Sequence, residues 1–346
     1  RPDRTCGVRT ATLFGPAGDW PGGRQLAQLE IKDEMGEGDI AAVSELLAVA
    51  EKVDGHAPLG EHKWLDLVQG GREGFAGLVA WEAGHDHPVG YAQLTRETHG
   101  PRPSWALEFV VDPHHRDTGD DIGPALVERA LGLVRAEGGG HVHLWVPKPG
   151  PEHDRIAAAV GLRRGRELRQ LRRPLPVEGE HPALPVRPFR PGLDEEAWLE
   201  VNNRAFNWHE EQGGWDLEVL REREAQPWFS ADGFLLHERD GRLAGFCWTK
   251  VHPDHDPPLG EIYVLAVDPD FRGLGLGRSL TLAGLDSLAA RGLEVAMLYV
   301  DAENTPALRL YENLGFTIDH VDRAYVGDVE GDPQPTPPTP TAEPMA

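Results

Sequence analysis

The sequence predicts an α/β chain built from two copies of one folding unit. Three observations carry this expectation. The chain has 346 residues, long for a single core. Trp105–Val134 (WALEFVVDPHHRDTGDDIGPALVERALGLV) and Glu261–Ala290 (EIYVLAVDPDFRGLGLGRSLTLAGLDSLAA) share one order: strand, Val-Asp-Pro, glycine-containing loop, helix. Each copy then runs through a turn, an apolar strand (His141–Val146 or Val295–Val300) and a short helix ending in Gly161-Leu162 or Gly315-Phe316.

In chain order, residues 1–27 mix Gly, Pro and polar residues without periodicity and read as a loose extension. Residues 28–175 form the first unit. Pro174–Pro188 is studded with prolines, so residues 176–188 read as a linker. Residues 189–326 form the second unit. The tail, residues 327–346, has little to bury and is expected to be disordered.

Composition limits the partners. A net charge of -23 argues against a general nucleic-acid binder, which needs a basic face. No apolar run reaches the ~18 residues of a membrane span. Cys6 and Cys247 fit no disulfide or metal framework, so a reducing cytoplasm is the default compartment. No signal-peptide pattern opens the sequence, which starts with Arg rather than Met. A monomer is the working expectation.

The second glycine loop carries the chemistry. Gly273, Gly275 and Gly277 lie between Arg272 and Arg278. Glycines let several backbone N–H groups converge on one phosphate, and a following helix adds partial positive charge. Leu282, Leu285, Leu288 and Ala289 recur at helical spacing, as that helix requires. A plain surface turn competes with this reading. A Walker loop is excluded because no Gly-Lys-Ser/Thr is present. A dinucleotide fold places its first glycine almost directly after the strand, whereas Asp268–Arg272 intervenes here.

Val-x-Pro-x-x-Arg-Gly-x-Gly-x-Gly resembles the acyl-CoA pyrophosphate loop of the GNAT superfamily of N-acetyltransferases. Leu298–Phe316 (LYVDAENTPALRLYENLGF) resembles the superfamily's following strand and helix. The resemblance implies two fused units, each a mixed sheet flanked by helices, with acetyl-CoA as cosubstrate and no metal. It places acetyl-CoA contacts on Leu265, Ala266 and Val267. Further contacts fall on Arg272, Gly273, Leu274, Gly275, Leu276, Gly277 and Arg278, and on Asn304, Thr305, Pro306, Ala307, Leu308 and Arg309.

Attack of an amine on an acetyl thioester needs a neutral amine, a stabilised carbonyl oxygen and a proton for the leaving thiolate. Glu261, on the strand before the loop, is the candidate base; by itself it reads first as an exposed strand-edge glutamate. Tyr311 is the candidate acid; by itself it reads first as a core residue on the face of Ala307, Leu310 and Leu314. The superfamily position favours the catalytic role for both. His252 and His255 have metal-like spacing, but Pro253 breaks any helix between them, so a satisfied or solvent-facing loop is expected. Cys247 reads as a small core residue.

The first copy has lost this chemistry. Trp105 stands opposite Glu261 and Ala157 opposite Tyr311, and neither side chain moves a proton. Its loop, Arg116–Gly123, holds three aspartates, which repel a polyanion.

Val201–Trp215 (VNNRAFNWHEEQGGW) and Phe246–Pro269 (FCWTKVHPDHDPPLGEIYVLAVDP), with the degenerate first copy, resemble the mycothiol synthase family. That resemblance implies acetyl transfer to the cysteinyl amine of cysteinyl-glucosaminyl-inositol. It places substrate contacts on Glu61, Glu211, Lys250, Glu261 and Tyr299. It also implies a second acetyl-CoA site over Phe109, Val110, Val111, Arg116, Gly119 and Gly123, against which the acidic loop argues. Two other readings stay open: a tandem acetyltransferase for another small amine or a protein N-terminus, and a non-catalytic acyl-CoA sensor.

Overall fold

The computed structural model describes residues 8–11, 26–82, 87–97, 103–116, 121–207 and 213–332. The chain divides into two compact units: residues 1–165 with 323–346, and residues 166–322.

The first unit contains β1 (Val8–Ala11), β2 (Leu26–Lys32), α1 (Glu37–Asp54), α2 (Glu61–Val68), β3 (Phe75–Glu82), β4 (Gly90–Glu97), β5 (Ser104–Val111), α3 (Ile122–Ala136), β6 (Gly139–Pro147) and α4 (Pro151–Ala159). Strand β7 (Arg163–Pro174) leads into the second unit. There follow β8 (Arg187–Pro188), α5 (Glu195–Ala205), α6 (Leu217–Glu224), β9 (Phe234–Arg239), β10 (Arg242–His252), β11 (Leu259–Val267), α7 (Leu276–Ala290), β12 (Val295–Asp301), α8 (Thr305–Asn313) and β13 (Thr317–Glu330).

In the first unit β1 to β5 pair antiparallel in chain order, and β5 then pairs parallel with β6. In the second unit the order is β7-β12-β11-β10-β9-β8, and β11 pairs parallel with β12. A parallel neighbour needs a crossover, and α3 and α7 supply it. Both sheets are mixed, as the duplicated pattern implies.

Each sheet is covered on both faces, which explains strands apolar at nearly every position. On β3, Leu78 and Ala80 face the cluster with α3, while Phe75 and Val79 face the cluster with α1 and α2. In the second unit Leu280, Leu285 and Leu288 of α7 pack on Ile262 and Leu298. The opposite face holds Trp198 of α5 with Phe234, Phe246 and Trp248. Trp248 stacks on Phe234 with ring centroids 4.2 Å apart.

The repeated Val-Asp-Pro has one local cause in both copies. Asp112 and Asp268 donate their backbone N–H to the carbonyls of Val89 and Ala244, each at 3.0 Å. Their side chains accept from the N–H groups of His114 and Asp270 at 2.8 and 2.9 Å, capping a 3-10 turn that begins with proline. The motif therefore stops each strand and turns the chain toward its loop.

The structure differs from the sequence expectation in four places. The unit division falls at 165/166 and 322/323. The proline-rich stretch is packed on the second unit rather than free: Val177, Leu184 and Val186 lie against the α7 cluster, and the carbonyl of Pro185 lies 2.8 Å from His237 Nδ1. Prolines remove regular hydrogen bonding but leave apolar side chains to bury. The expected tail begins as strand, because β13 runs to Glu330, Asp328 pairs with His141 at 2.7 Å, and Asp332 N–H donates to the Arg135 carbonyl at 2.9 Å. Within the expected extension, Val8–Ala11 pairs with β2, which itself starts at Leu26. The rest of residues 1–25 and residues 333–346 lie outside the described residues.

Candidate active site

Strands β11 and β12 are paired only where Leu259–Glu261 meets Val295–Met297. Beyond Glu261 the ladder ends, although β11 continues to Val267 and β12 to Asp301. Leu265, Ala266 and Val267 remain paired with β10 on the other side. Alternate amides of a strand point to opposite neighbours, so every second N–H of this stretch faces the gap. Such donors suit the oxygen of an acyl thioester and the amides of its carrier arm.

A bulge sets which side chains face the gap's approach. Trp248 pairs with Val264 and Thr249 with Ile262, leaving Tyr263 as the extra residue. Two steps along a regular strand would keep one face. Here Ile262 packs on the α7 side, whereas Val264 packs on the α5 side. Gly260 abuts Leu288 of α7, so its neighbour Glu261 lies on the opposite face. Lys250, the cross-strand partner of Glu261, shares that face. Its ammonium sits 4.3 Å from the Trp228 ring centroid and 5.3 Å from that of Tyr263.

Glu261 is only 6% exposed. Its Oε2 lies 2.7 Å from Nε2 of His252. Among the described residues its Oε1 has no hydrogen-bond partner, so one carboxylate oxygen is free to take a proton. Tyr311 of α8 lies in the α7 cluster with its ring against Phe316, and burial pushes its phenol above the usual tyrosine range. Among the described residues its hydroxyl has no partner. Tyr299 of β12 is exposed, and its hydroxyl accepts from Gln170 Nε2 at 2.7 Å. Burial, then the charges of Asp322 and Glu261, push its phenol up. Asn304 caps α8, accepting from Ala307 N–H at 3.2 Å, and Thr305 and Pro306 form the first turn. Leu308 of α8 is buried and Arg309 exposed.

The loop before α7 fits a phosphate. Gly273 and Gly275 have φ of +80° and +74°, a region that favours glycine, and a Cβ on either would meet nothing within 4 Å. Leu274 is exposed and Leu276 opens the helix beside Gly277. Arg272 and Arg278 are exposed, and among the described residues neither guanidinium has a partner. Backbone amides, a helix N-terminus and two free arginines are the set a pyrophosphate needs.

The first unit repeats the skeleton with other side chains at these positions. Ser104–Leu107 of β5 pairs with His141–Leu144 of β6, leaving Phe109, Val110 and Val111 beyond the ladder. Arg116 is bound at both terminal nitrogens by Asp54, at 2.6 and 2.8 Å. A Cβ on Gly123 would lie 3.2 Å from Phe109 and 3.3 Å from Ile156. Gly119 lies outside the described residues. Trp105 is buried, its indole donating to the Gly139 carbonyl at 3.3 Å, and Ala157 is fully packed.

The structure thus places Lys250, Glu261, Tyr299, Tyr311 and the α7 and α8 contacts in the second unit. Glu61 opens α2 in the first unit and is half-buried. Glu211 lies outside the described residues. His252 ends β10 rather than lying in the loop, and its ring is satisfied, as expected, in this case by Glu261. Period-two spacing carried the signal, since His252 follows Lys250 by two and so shares its face.

A duplicated mixed sheet, a parted parallel pair and a glycine loop on a helix N-terminus define an acetyl-CoA-dependent N-acetyltransferase of the GNAT class. The model of the acetyltransferase (GNAT) family matches residues 197–316. A curated relative from Acidimicrobium ferrooxidans, a mycothiol acetyltransferase, is 47% identical over 82% of this chain and 92% of its own. A second of the same name, from Thermobispora bispora, is 47% identical over 86% and 98%. The chain belongs to the mycothiol acetyltransferase family. Among solved structures, a tandem GNAT protein from the clavulanic acid biosynthesis pathway matches with a TM-score of 0.66 at 18% identity, over 88% of this chain and 100% of that one. A GCN5-related N-acetyltransferase from Sphaerobacter thermophilus matches with a TM-score of 0.63 at 21% identity, over 88% and 97%. At those identities the likeness is one of fold. Among the described residues no helix is long and apolar enough to cross a membrane.

Proposed function

We propose that the chain transfers acetyl from acetyl-CoA to the cysteinyl amine of cysteinyl-glucosaminyl-inositol, completing mycothiol. The observation that carries this reading is the buried Glu261 with one free oxygen beside the parted β11–β12 pair, in a member of this family. Acetyl-CoA supplies the activated acyl group. An α-amine has a pKa near ~8, so most of it is protonated at neutral pH and needs a base. Oε1 of Glu261 takes that proton, directly or through water. The amine nitrogen bonds to the acyl carbon, and β11 amides hold the carbonyl oxygen as it gains charge. The C–S bond then breaks and the Tyr311 hydroxyl protonates the departing thiolate; the second proton, lost from the nitrogen as the amide forms, passes through solvent and restores the tyrosine, and the Glu261 proton leaves to solvent.

Arg272 and Arg278 with the glycine loop bind the pyrophosphate. Lys250, fixed on Trp228 and Tyr263, donates to hydroxyls of the sugar–inositol part. Glu61, Glu211 and Tyr299 are the remaining proposed substrate contacts. Beyond Glu61, no residue of the first unit is assigned to the acetyl-CoA site or the proton path. The test is turnover of acetyl-CoA by the purified chain with a panel of amines: cysteinyl-glucosaminyl-inositol, an aminoglycoside and a peptide N-terminus. A strong preference for the first is expected. Preference for another amine overturns the substrate, and turnover of none overturns catalysis.

A further inference from the structure

We infer that His252 is a positioning residue for the base: its Nε2–H holds Oε2 of Glu261 and so aims Oε1 at the amine. The inference rests on the proposed role of Glu261. Lys250 pairs with Glu261 across β10 and β11, and His252 pairs with Leu259. His252 and Glu261 are therefore diagonal neighbours on one face, a separation that long side chains bridge. They do so at 2.7 Å. A carboxylate on a strand can rotate about its side-chain bonds. A donor fixed on one oxygen removes that freedom, and ordering the base in advance lowers the barrier.

The histidine is itself held. Its ring stands edge-on to His255, centroids 5.9 Å apart. The side chain of Glu261 is 8% exposed and that of His252 is 24% exposed, so the pair sits at a half-open edge where solvent reaches the histidine more than the base. The other titratable or charged groups around the pair are Lys250 across on β10, Tyr299 on β12, whose phenol feels the charge of Glu261, and His255. Lys250 is directed to Trp228 and Tyr263. Tyr299 bonds Gln170.

The role separates from a merely structural one by choice of variant. His252→Ala removes the donor. His252→Gln keeps an N–H at similar reach but cannot carry a proton at neutral pH. A positioning donor predicts a kcat about 10-fold or more lower in His252→Ala, with KM for acetyl-CoA and melting temperature kept, because only the aim of the base is lost. His252→Gln should restore most of the rate. In a Glu261→Gln background the loss from His252→Ala should vanish, since the two act as one unit. A wild-type kcat in His252→Ala overturns the inference. So does a His252→Gln variant as slow as His252→Ala with an unchanged melting temperature. Should Glu261→Gln alone leave the rate intact, the base assignment fails instead, which a full effect of Glu261→Gln with none of His252→Ala does not imply.

Discussion

Arg116 is clamped by Asp54 through two hydrogen bonds, 2.6 Å from one terminal nitrogen and 2.8 Å from the other, while its counterpart Arg272 has no side-chain partner among the described residues. The same loop position is thus neutralised in one copy and free in the other. One acetyl-CoA per chain is expected by isothermal titration calorimetry, and Arg272→Ala should weaken it. Two equivalents of comparable affinity would mean that Asp54 releases Arg116 to a phosphate.

The glycines separate in the same way. Gly275 needs its positive φ, and the space beside it is open, so Gly275→Val should abolish acetyl-CoA binding. Gly123 abuts Phe109 and Ile156, so Gly123→Val overpacks the first unit, costing ~1–3 kcal/mol. Melting temperature should fall in the second variant with kcat largely kept. Loss of acetyl transfer in a still-folded Gly123→Val chain would contradict the division of labour.

Lys63 supplies a pH dependence of stability. It is buried on α2, donates to the Ala106 carbonyl at 3.0 Å, and burial lowers its pKa from 10.5 to about 8. Below about 8 the folded chain holds a buried ammonium at a cost. From about 8 to 10.5 the folded chain has released a proton that the unfolded chain still binds, so stability rises with pH. The melting temperature of the wild type relative to Lys63→Met should therefore climb between pH 8 and 10. A difference flat in pH contradicts the depressed value.

The proton path is tested at both ends. Glu261→Gln should cut kcat on the order of 10²-fold, with partial recovery at high pH where the amine is already neutral. A raised KM for the amine with kcat intact would make Glu261 a binding group only. Tyr311→Phe keeps the ring against Phe316, so melting temperature and acetyl-CoA affinity should hold while kcat falls. Near-normal kcat with lost stability would make Tyr311 structural.

The duplication was legible because Val-Asp-Pro does the same local work twice, capping a turn at the end of a strand. The loop was legible because those backbone angles favour glycine. Glu261 and Tyr311 are proposed on family position, since a strand glutamate and a helix tyrosine read as bland by themselves. The His252–Glu261 contact was hidden because it depends on hairpin register across the intervening Pro253–Pro258 loop. The Arg116–Asp54 pair spans 62 residues, beyond any local pattern. The unit division at 165/166 and 322/323 was not legible, because composition reports what a segment can bury and says little of what it packs against.

Acetylation of cysteinyl-glucosaminyl-inositol by this chain is read out in the thiol content of cells from which its gene has been deleted. Cysteinyl-glucosaminyl-inositol should accumulate and its N-acetylated product disappear, and the wild-type chain should restore the product whereas Glu261→Gln restores little. Undiminished product in the deletion strain, with no accumulated precursor, would contradict this activity.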